Sequence, residues 1–564
     1  MKQEIIARIR CAVKFFREYG LFCFIQHVFF VVRHEEEKDY YWWSKKHRSN
    51  KKDLKKQKES RFLLEPTFSI IVSVRCADKQ KRQKLIRSLR KQTYNKWEIC
   101  LADGGENIAE NINQALELAI GEYVVFIREE DILEINTLYE CVRAINQCPE
   151  VDFLYTDEDE MSIDGKQYFH PHFKSDYNLD LLRSKNYVGH FFVLKKKIQE
   201  QVGRFCEELY YEYEYDYILR CMEVSKNIWH IPKVLYHKRI SDKKEIVSDE
   251  KIKVIKKHME RCQVVTSVNM RKTSGICKVN YLFKTEPFIS IIIPNRNHID
   301  DLKRCIDSVY EISEYSNFEI IIVENGSDEK RTFMYYKDIV DQHKNVRIVT
   351  WRGIEEFNYS ALNNFGVINA RGKYLLFLNN DTRIINKNCL SEMVSHVIRE
   401  EVGAVGAKLY YPDGTIQHAG VILGLGGIAG HAFCGEKHDA YGYFSRIQCT
   451  QNLTAVTAAC MMMPRVLFDE IGGFDENLKV AFNDVDLCMK IRKKGKWIVY
   501  TPYAELYHYE SKSRGIEDTE EKVTRFRGEV SYFAKKWKKE LEAGDPYYNP
   551  NLTLRKNDFS LRIL

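Results

Sequence analysis

The sequence predicts an α/β fold used twice, and three observations predict it. The first is an internal repeat. Phe68-Ser-Ile-Ile-Val-Ser-Val-Arg75 resembles Ile289-Ser-Ile-Ile-Ile-Pro-Asn-Arg296, and Trp97–Asp103 resembles Phe318–Glu324, both at an offset of 221. Asn113–Phe126 then matches Asn364–Phe377 at an offset of 251, Val202–Phe205 matches Ile471–Phe474, and Tyr215-Asp216 matches Val485-Asp486. The second observation is the character of the repeated runs. Ile289–Ile293 and Ile320–Val323 are apolar throughout, as strands covered on both faces are. Such runs alternate with helical patterns, which argues for a parallel sheet. The third is size and balance. The 564 residues are 44 % hydrophobic and 30 % charged, a soluble globular composition with room for two to four domains.

Taken in order, residues 1–62 read as a basic, aromatic, helical head. Residues 63–240 are the first copy, 241–286 a charged linker and 287–525 the second copy. The second copy carries about thirty extra residues between its second and third strands. Residues 526–564 form a helix and a turn-rich tail.

Composition excludes several classes. The head holds sixteen Lys/Arg against eight Asp/Glu, so of a net charge of +7 the rest of the chain carries −1. A nucleic-acid-binding domain carries its basic patch on its own fold, so no nucleic-acid partner is expected. The 16 Cys are scattered without Cys-x-x-Cys pairs, which fits free thiols in a reducing compartment. No run reaches the roughly 20 apolar residues that span a bilayer. The uncharged stretch Gly20–Val32 has acids before it and no small-residue cleavage site after it, so no signal peptide is expected. The expected location is cytoplasmic. The head either lies on the inner face of the cell membrane through basic and aromatic residues or packs as a helix on the first copy.

In open α/β sheets ligands sit beyond the carboxyl ends of the strands. In the second copy those positions are Pro294, Asn295 and Arg296, then Glu324 and Asn325, then Asn379 to Asp381.

Six stretches of the second copy, in order, are more specific: Phe377–Thr382, Gly403–Leu409, Pro412–Gly420, Gly472–Glu476, Phe482–Leu487 and His508–Arg514. Together they resemble the inverting family-2 glycosyltransferases of the GT-A fold. Within these, they look most like the tandem-domain enzymes of bacterial cell-surface polysaccharide synthesis, of the rhamnan and O-antigen type. The resemblance covers about residues 63–555. It implies two tandem GT-A domains (Rossmann-like, nucleotide-diphospho-sugar transferase). It also implies a nucleotide-sugar donor, a divalent cation (Mn or Mg) and a glycan or lipid-linked acceptor.

The residues fit that chemistry. A departing diphosphate needs a cation on its oxygens, and carboxylate and imidazole suit manganese. Asn379-Asn380-Asp381 stands where the family has D-x-D, and Asp381 and His508 match its metal positions. Asp381 also reads as a turn cap before Thr382, and His508 as a core histidine. Attack by an acceptor hydroxyl needs a base. Asp484 matches the base position and begins a helical run, whose N-terminus stabilises the anion; it also reads as a plain N-cap. Asp486, two residues on, faces elsewhere and is expected to bond structure. Glu324 stands where the family contacts the donor base. A carboxylate accepts from the N–H edge of uracil, thymine or guanine, which favours UDP, dTDP or GDP donors. Arg296 and Arg514 are candidates for base stacking and diphosphate binding, or surface charges. Asn364 and Asn325 complete the donor-side set.

The first copy keeps Asp103, the counterpart of Glu324. By the repeat, Arg128 and Glu130 replace Asn379 and Asp381, Glu214 replaces Asp484, and His237 replaces His508. An arginine beside a cation site costs Coulomb energy or replaces the metal. Three readings stay open for this copy: an active transferase, a metal-independent one, or a non-catalytic glycan-binding module. A nucleotidyltransferase on a similar fold is the rival for the whole chain, but neither copy has a Gly-rich phosphate loop after its first strand. Gly424-Leu-Gly-Gly-Ile-Ala429 fits a dinucleotide fingerprint, yet no helical pattern follows it.

Overall fold

The computed structural model describes residues 40–73, 79–101, 107–240, 247–353, 357–509 and 519–562. Two large sheets dominate it. The first is built from β1 (Phe68–Ser73), β2 (Trp97–Cys100), β3 (Tyr123–Arg128), β4 (Ile132–Leu133), β5 (Phe153–Met161), β6 (Tyr168–His172), β7 (Phe192–Lys195) and β8 (Ile228–Arg239). A small hairpin follows, β9 (Thr266–Arg271) with β10 (Ile276–Tyr281). The second sheet uses β11 (Ile289–Asn295), β12 (Phe318–Glu324), β13 (Val346–Thr350), β14 (Tyr374–Leu378), β15 (Thr382–Ile384), β16 (Val402–Tyr410) and β17 (Ile416–His418). After the hairpin β18 (Val421–Leu423) and β19 (Ala429–His431), it closes with β20 (Gln451–Leu453), β21 (Cys460–Pro464) and β22 (Trp497–His508).

The first sheet runs β2-β1-β3-β7-β5-β8-β4 and the second β13-β12-β11-β14-β21-β16-β22-β15. Apart from the edge strand β13, the order is the same. So is the sense of each equivalent pair: β3 and β7 antiparallel like β14 and β21, β5 and β8 parallel like β16 and β22. The extra residues of the second copy supply the helix Lys330–Gln342 and β13.

The uniformly apolar strands follow from double-sided cover. In β11, Ile289, Ile291 and Ile293 pack in one core with Leu302 and Ile306 of the helix Ile299–Glu311. Ile292 packs in the other with Leu362 and Val367 of the helix Tyr359–Ile368. One close approach recurs in both copies. A Cβ at Gly121 would lie 2.7 Å from Ser69 N, and one at Gly372 2.4 Å from Ser290 N. Each glycine N–H donates to that serine's hydroxyl, and each serine donates on to a glutamate, Glu98 or Glu319.

The stretch expected to be a linker is packed structure. Its helix Glu250–Arg261 buries Val254, Ile255 and Met259, and the hairpin buries Val268, Ile276, Val279 and Tyr281, all in a core of the first copy. The charges that suggested a linker occupy the opposite helical face, the ordinary pattern of an amphipathic helix.

Part of the head also packs inward. Residues 40–47 are helical. Tyr40 and Trp43 are buried, Trp43 lies edge-on to Phe173, and the Tyr40 hydroxyl donates to Asp159 Oδ2 at 2.6 Å. The segment proposed for a membrane surface, 1–33, lies outside the described residues. Among the described residues no helix is long and apolar enough to cross a membrane. The cysteines described are free thiols.

The copies are docked through buried polar contacts. Arg399 Nη1 meets Asp180 Oδ1 at 2.7 Å, Asn452 Nδ2 donates to Asp180 Oδ2 at 2.6 Å, and Asn178 and Asn452 bond each other. The tail crosses both: Asp545 accepts from Leu423 N and Thr454 Oγ1 of the second copy, while Asn549 Nδ2 donates to Asp157 of the first.

Candidate active site

The site of the second copy is assembled where β14 ends. Antiparallel pairing of β15 with β22 sets Thr382 opposite His508, and Tyr509 N donates to Asp381 O at 2.8 Å. This brings Asp381 and His508 side by side, with His508 Nε2 3.1 Å from Asp381 Oδ1. Asn379 Nδ2 lies 3.2 Å from the same Nε2. Asp381 Oδ1 is buried and has no hydrogen-bond partner. His298, left-handed at φ 48 before the helix Ile299–Glu311, stands near enough for a positive charge on its ring to favour the Asp381 anion.

Asp484 reaches this centre from another element. It begins the helix Asn483–Lys493, preceded by Phe482 in the left-handed region at φ 61. Such a conformation costs about 1–3 kcal/mol and persists only where the surroundings impose it. Here they do: the helix Glu520–Lys536 supplies Glu529, which accepts from Val480 N and Ala481 N, and Phe482 packs against Phe526 and Phe533 of that helix. Asp484 Oδ1 accepts from Val485 N and Oδ2 from Ala458 N. The adjacent Ala459 O accepts from Asn379 N, which ties the two carboxylate-bearing segments together. Tyr359, whose hydroxyl donates to Ala458 O, reports both. Burial pushes its phenol up, and the Asp484 and Asp381 charges push it further. Asp486 is spent on structure, its Oδ1 held by the Trp537 indole and Lys536.

The donor-side candidates divide. Pro294, Asn295, Glu324 and Asn325 sit at the adjacent ends of β11 and β12, with Asn325 N donating to Asn295 O. Asn295 links this corner to the other centre, since its Oδ1 accepts from Asn380 Nδ2 at 2.7 Å. Arg296 is exposed beside them. Glu324 departs from expectation. It is buried, and its oxygens accept from Ser327 N, Ser327 Oγ and Tyr336 Oη. These bonds turn the carboxylate onto its own loop, where it shapes the turn. Asn364 is a second correction. Its amide donates to Phe474 O and Glu476 Oε1, and its Oδ1 accepts from Phe474 N. It clamps the Gly472–Glu476 turn. Arg514 and Asp103 lie outside the described residues. The Gly424 stretch forms a short 3-10 turn leading into β19, with no helix after it, and Gly426 N donates to Leu554 O of the tail.

The first copy holds the same positions in a different state. Arg128 Nη2 meets Glu214 Oε2 at 2.5 Å, Arg128 Nε meets Oε1 at 3.1 Å, and His190 Nδ1 meets Oε2 at 2.7 Å. Burial opposes the Glu214 anion, but Arg128 and His190 hold its carboxyl well below the usual range. His237 is enclosed by Asp159 at Nδ1, 2.6 Å, and Glu134 at Nε2, 3.2 Å. Burial lowers its pKa, yet the two carboxylates win and raise it to about 9. Arg48 of the head adds an ion pair to Glu134 at 3.0 Å. Glu130 is corrected as the counterpart of Asp381. Ile132 pairs with His237 as Thr382 pairs with His508, so the residue beside the histidine is Asp131. One extra residue between β3 and β4 shifts the frame. Asp131 bonds Tyr236 Oη and Arg239 N, and burial and Glu130 raise it to about 7.

Three residues of the second site were missed by sequence reasoning: His298, Tyr359 and Gln417, whose Oε1 lies 2.7 Å from His508 Nδ1. Gln417 stood inside a quoted motif and carried a signal; the other two carried none.

Residues 290–472 match the family model "Glycosyl transferase family 2". That match lies within the second copy. Over 541 residues the chain is 32 % identical to "O-antigen biosynthesis protein RfbC" of Myxococcus xanthus, covering 89 % of this chain and 42 % of that protein. It is 39 % identical over 539 residues to the "Uncharacterized protein y4gI" of Sinorhizobium fredii, covering 88 % and 58 %. The chain thus spans about half the length of these curated relatives. It also overlays on the crystal structure of GalNAc-T7 with UDP, GalNAc and Mn2+ at a TM-score of 0.39 and 13 % identity, covering 49 % of this chain and 52 % of that one.

Proposed function

We propose that the second copy transfers a sugar, with inversion, from a UDP-, dTDP- or GDP-linked donor to a growing surface polysaccharide or lipid-linked acceptor. The observation that carries this is the convergence of Asp381, Asn379 and His508 with Asp484 across Tyr359 and Ala458. In this reading Asp484 accepts the acceptor's hydroxyl proton as its oxygen attacks the anomeric carbon and the nucleoside diphosphate departs from the opposite face. Two backbone N–H groups donate to its carboxylate and fix its direction.

Asp381 and His508, with Asn379, are the residues that would hold Mn2+ or Mg2+. The buried, unpartnered Asp381 Oδ1 fits that role, and the oxygen and imidazole donors fit those ions. When bound, the cation supplies charge neutralisation for the leaving diphosphate. The ends of β11 and β12, with Arg296, would receive the nucleotide. The first copy serves as a non-catalytic module for the glycan. The head brings a cytoplasmic chain to an anionic membrane surface.

The test is a screen of nucleotide-sugars for donor hydrolysis and transfer with Mn2+ or Mg2+. Transfer from at least one donor, lost in Asp484→Asn, supports the reading. Undiminished transfer by Asp484→Asn overturns the base assignment.

A further inference from the structure

We propose that Gln417 is a positioning residue that fixes His508 as a one-sided base, its Nε2 lone pair turned toward Asp381. The proposal rests on the divalent-centre reading above. Gln417 and His508 are both buried, at 4 % and 7 % exposure. Gln417 Oε1 lies 2.7 Å from His508 Nδ1. An amide oxygen only accepts, so Nδ1 carries the proton and Nε2 carries the lone pair. That lone pair accepts from Asn379 Nδ2 at 3.2 Å and stands 3.1 Å from Asp381 Oδ1, which has no hydrogen donor of its own. Two electron-rich atoms held this close attract a shared cation.

The first copy provides the contrast. There His237 meets carboxylates at both nitrogens, Asp159 at Nδ1 and Glu134 at Nε2, and neither nitrogen is left as a ligand. In the second copy the acceptor of Gln417 holds Nδ1 alone, which orients the ring and leaves Nε2 facing Asp381. This gives a physical reason for glutamine in the stretch Ile416-Gln-His-Ala419, which the transfer chemistry alone does not use.

The experiment measures Mn2+ binding by the full chain, from the paramagnetic resonance of free Mn2+, with thermal unfolding as a check on folding. Loss of binding in Asp381→Ala locates the site. Gln417→Leu and Gln417→Met, both lacking the acceptor, are expected to weaken Mn2+ binding about 10- to 100-fold. Gln417→Glu, which keeps an accepting oxygen, is expected to restore it. If the Leu and Met variants bind like the parent while Asp381→Ala does not bind, the positioning role is overturned and the divalent centre stands. If Gln417→Glu binds as poorly as the Leu variant, the side chain acts by packing, and the proposal is again overturned. If the parent binds no Mn2+, or Asp381→Ala binds it equally, the divalent centre falls and the role of Gln417 falls with it.

Discussion

The histidines that follow the last long strand of each copy, His237 and His508, occupy matching places in matching sheets, yet their surroundings are opposite. His508 has a neutral amide behind it and an unpartnered carboxylate oxygen in front. His237 is clamped by two carboxylates and screened by Arg48 of the head. The base positions differ in the same way. Asp484 is held by two backbone N–H groups, whereas Glu214 is consumed by Arg128 and His190. By strand register, His190 fills the place where the second copy has only the methyl of Ala459. Two copies of one fold have therefore used the same positions differently. One keeps an unmatched anionic centre, and the other has satisfied its own charges internally.

The sharpest way to break this comparison is by activity. Asp484→Asn is expected to lower transfer on the order of 10²- to 10⁴-fold, while Glu214→Gln leaves it within about twofold once folded protein is compared. Equal losses would make both copies catalytic. Metal removal comes next. Chelation is expected to abolish the activity that Mn2+ or Mg2+ restores, and Asp381→Ala to respond to neither ion. An Asp131→Ala variant that lost ion dependence in the same way would erase the contrast.

Stability gives the complementary test. Arg128→Met strands a buried carboxylate, which costs about 3–5 kcal/mol, read as a lower midpoint of urea unfolding. The double variant Arg128→Met/Glu214→Gln is expected to recover most of that loss. The smallest effect is on pH. His237 is raised to about 9, above an unfolded value of about 6.5. Its contribution to stability is thus complete below about 6.5 and is lost as pH rises through about 9. Thermal melting should decline across that window in the parent and more shallowly in His237→Gln.

Much of this architecture was legible in the sequence. The repeat located both sheets, because apolar strands buried on two faces leave little freedom of composition. That Asp381, Asn379 and His508 lie together was legible because the motifs place them at the ends of paired strands. What failed was local. Glu324 and Asn364 were assigned to the donor by analogy, and their bonds to nearby turns depend on loop geometry that the sequence does not display. Asp131 was hidden by a single extra residue between β3 and β4, visible only in strand register. The packed segment 250–281 was hidden by its charges, which say what one face of a helix meets and nothing of the other. Tyr359 and His298 gave no signal, since neither is distinguishable in sequence from an ordinary core or cap residue.

The tail gives this molecule a timetable. Asp157 lies fully buried in the first copy, and Asn549 Nδ2 reaches its two oxygens at 3.0 and 2.9 Å across 392 positions of chain. A ribosome adding roughly 5–20 residues per second needs roughly 20–80 s to span that distance. Through that interval Asp157 has only its partners within the first copy, Lys174 N and His230 Nε2. The contact by which the tail joins the two copies is therefore among the last to form, when residue 549 emerges.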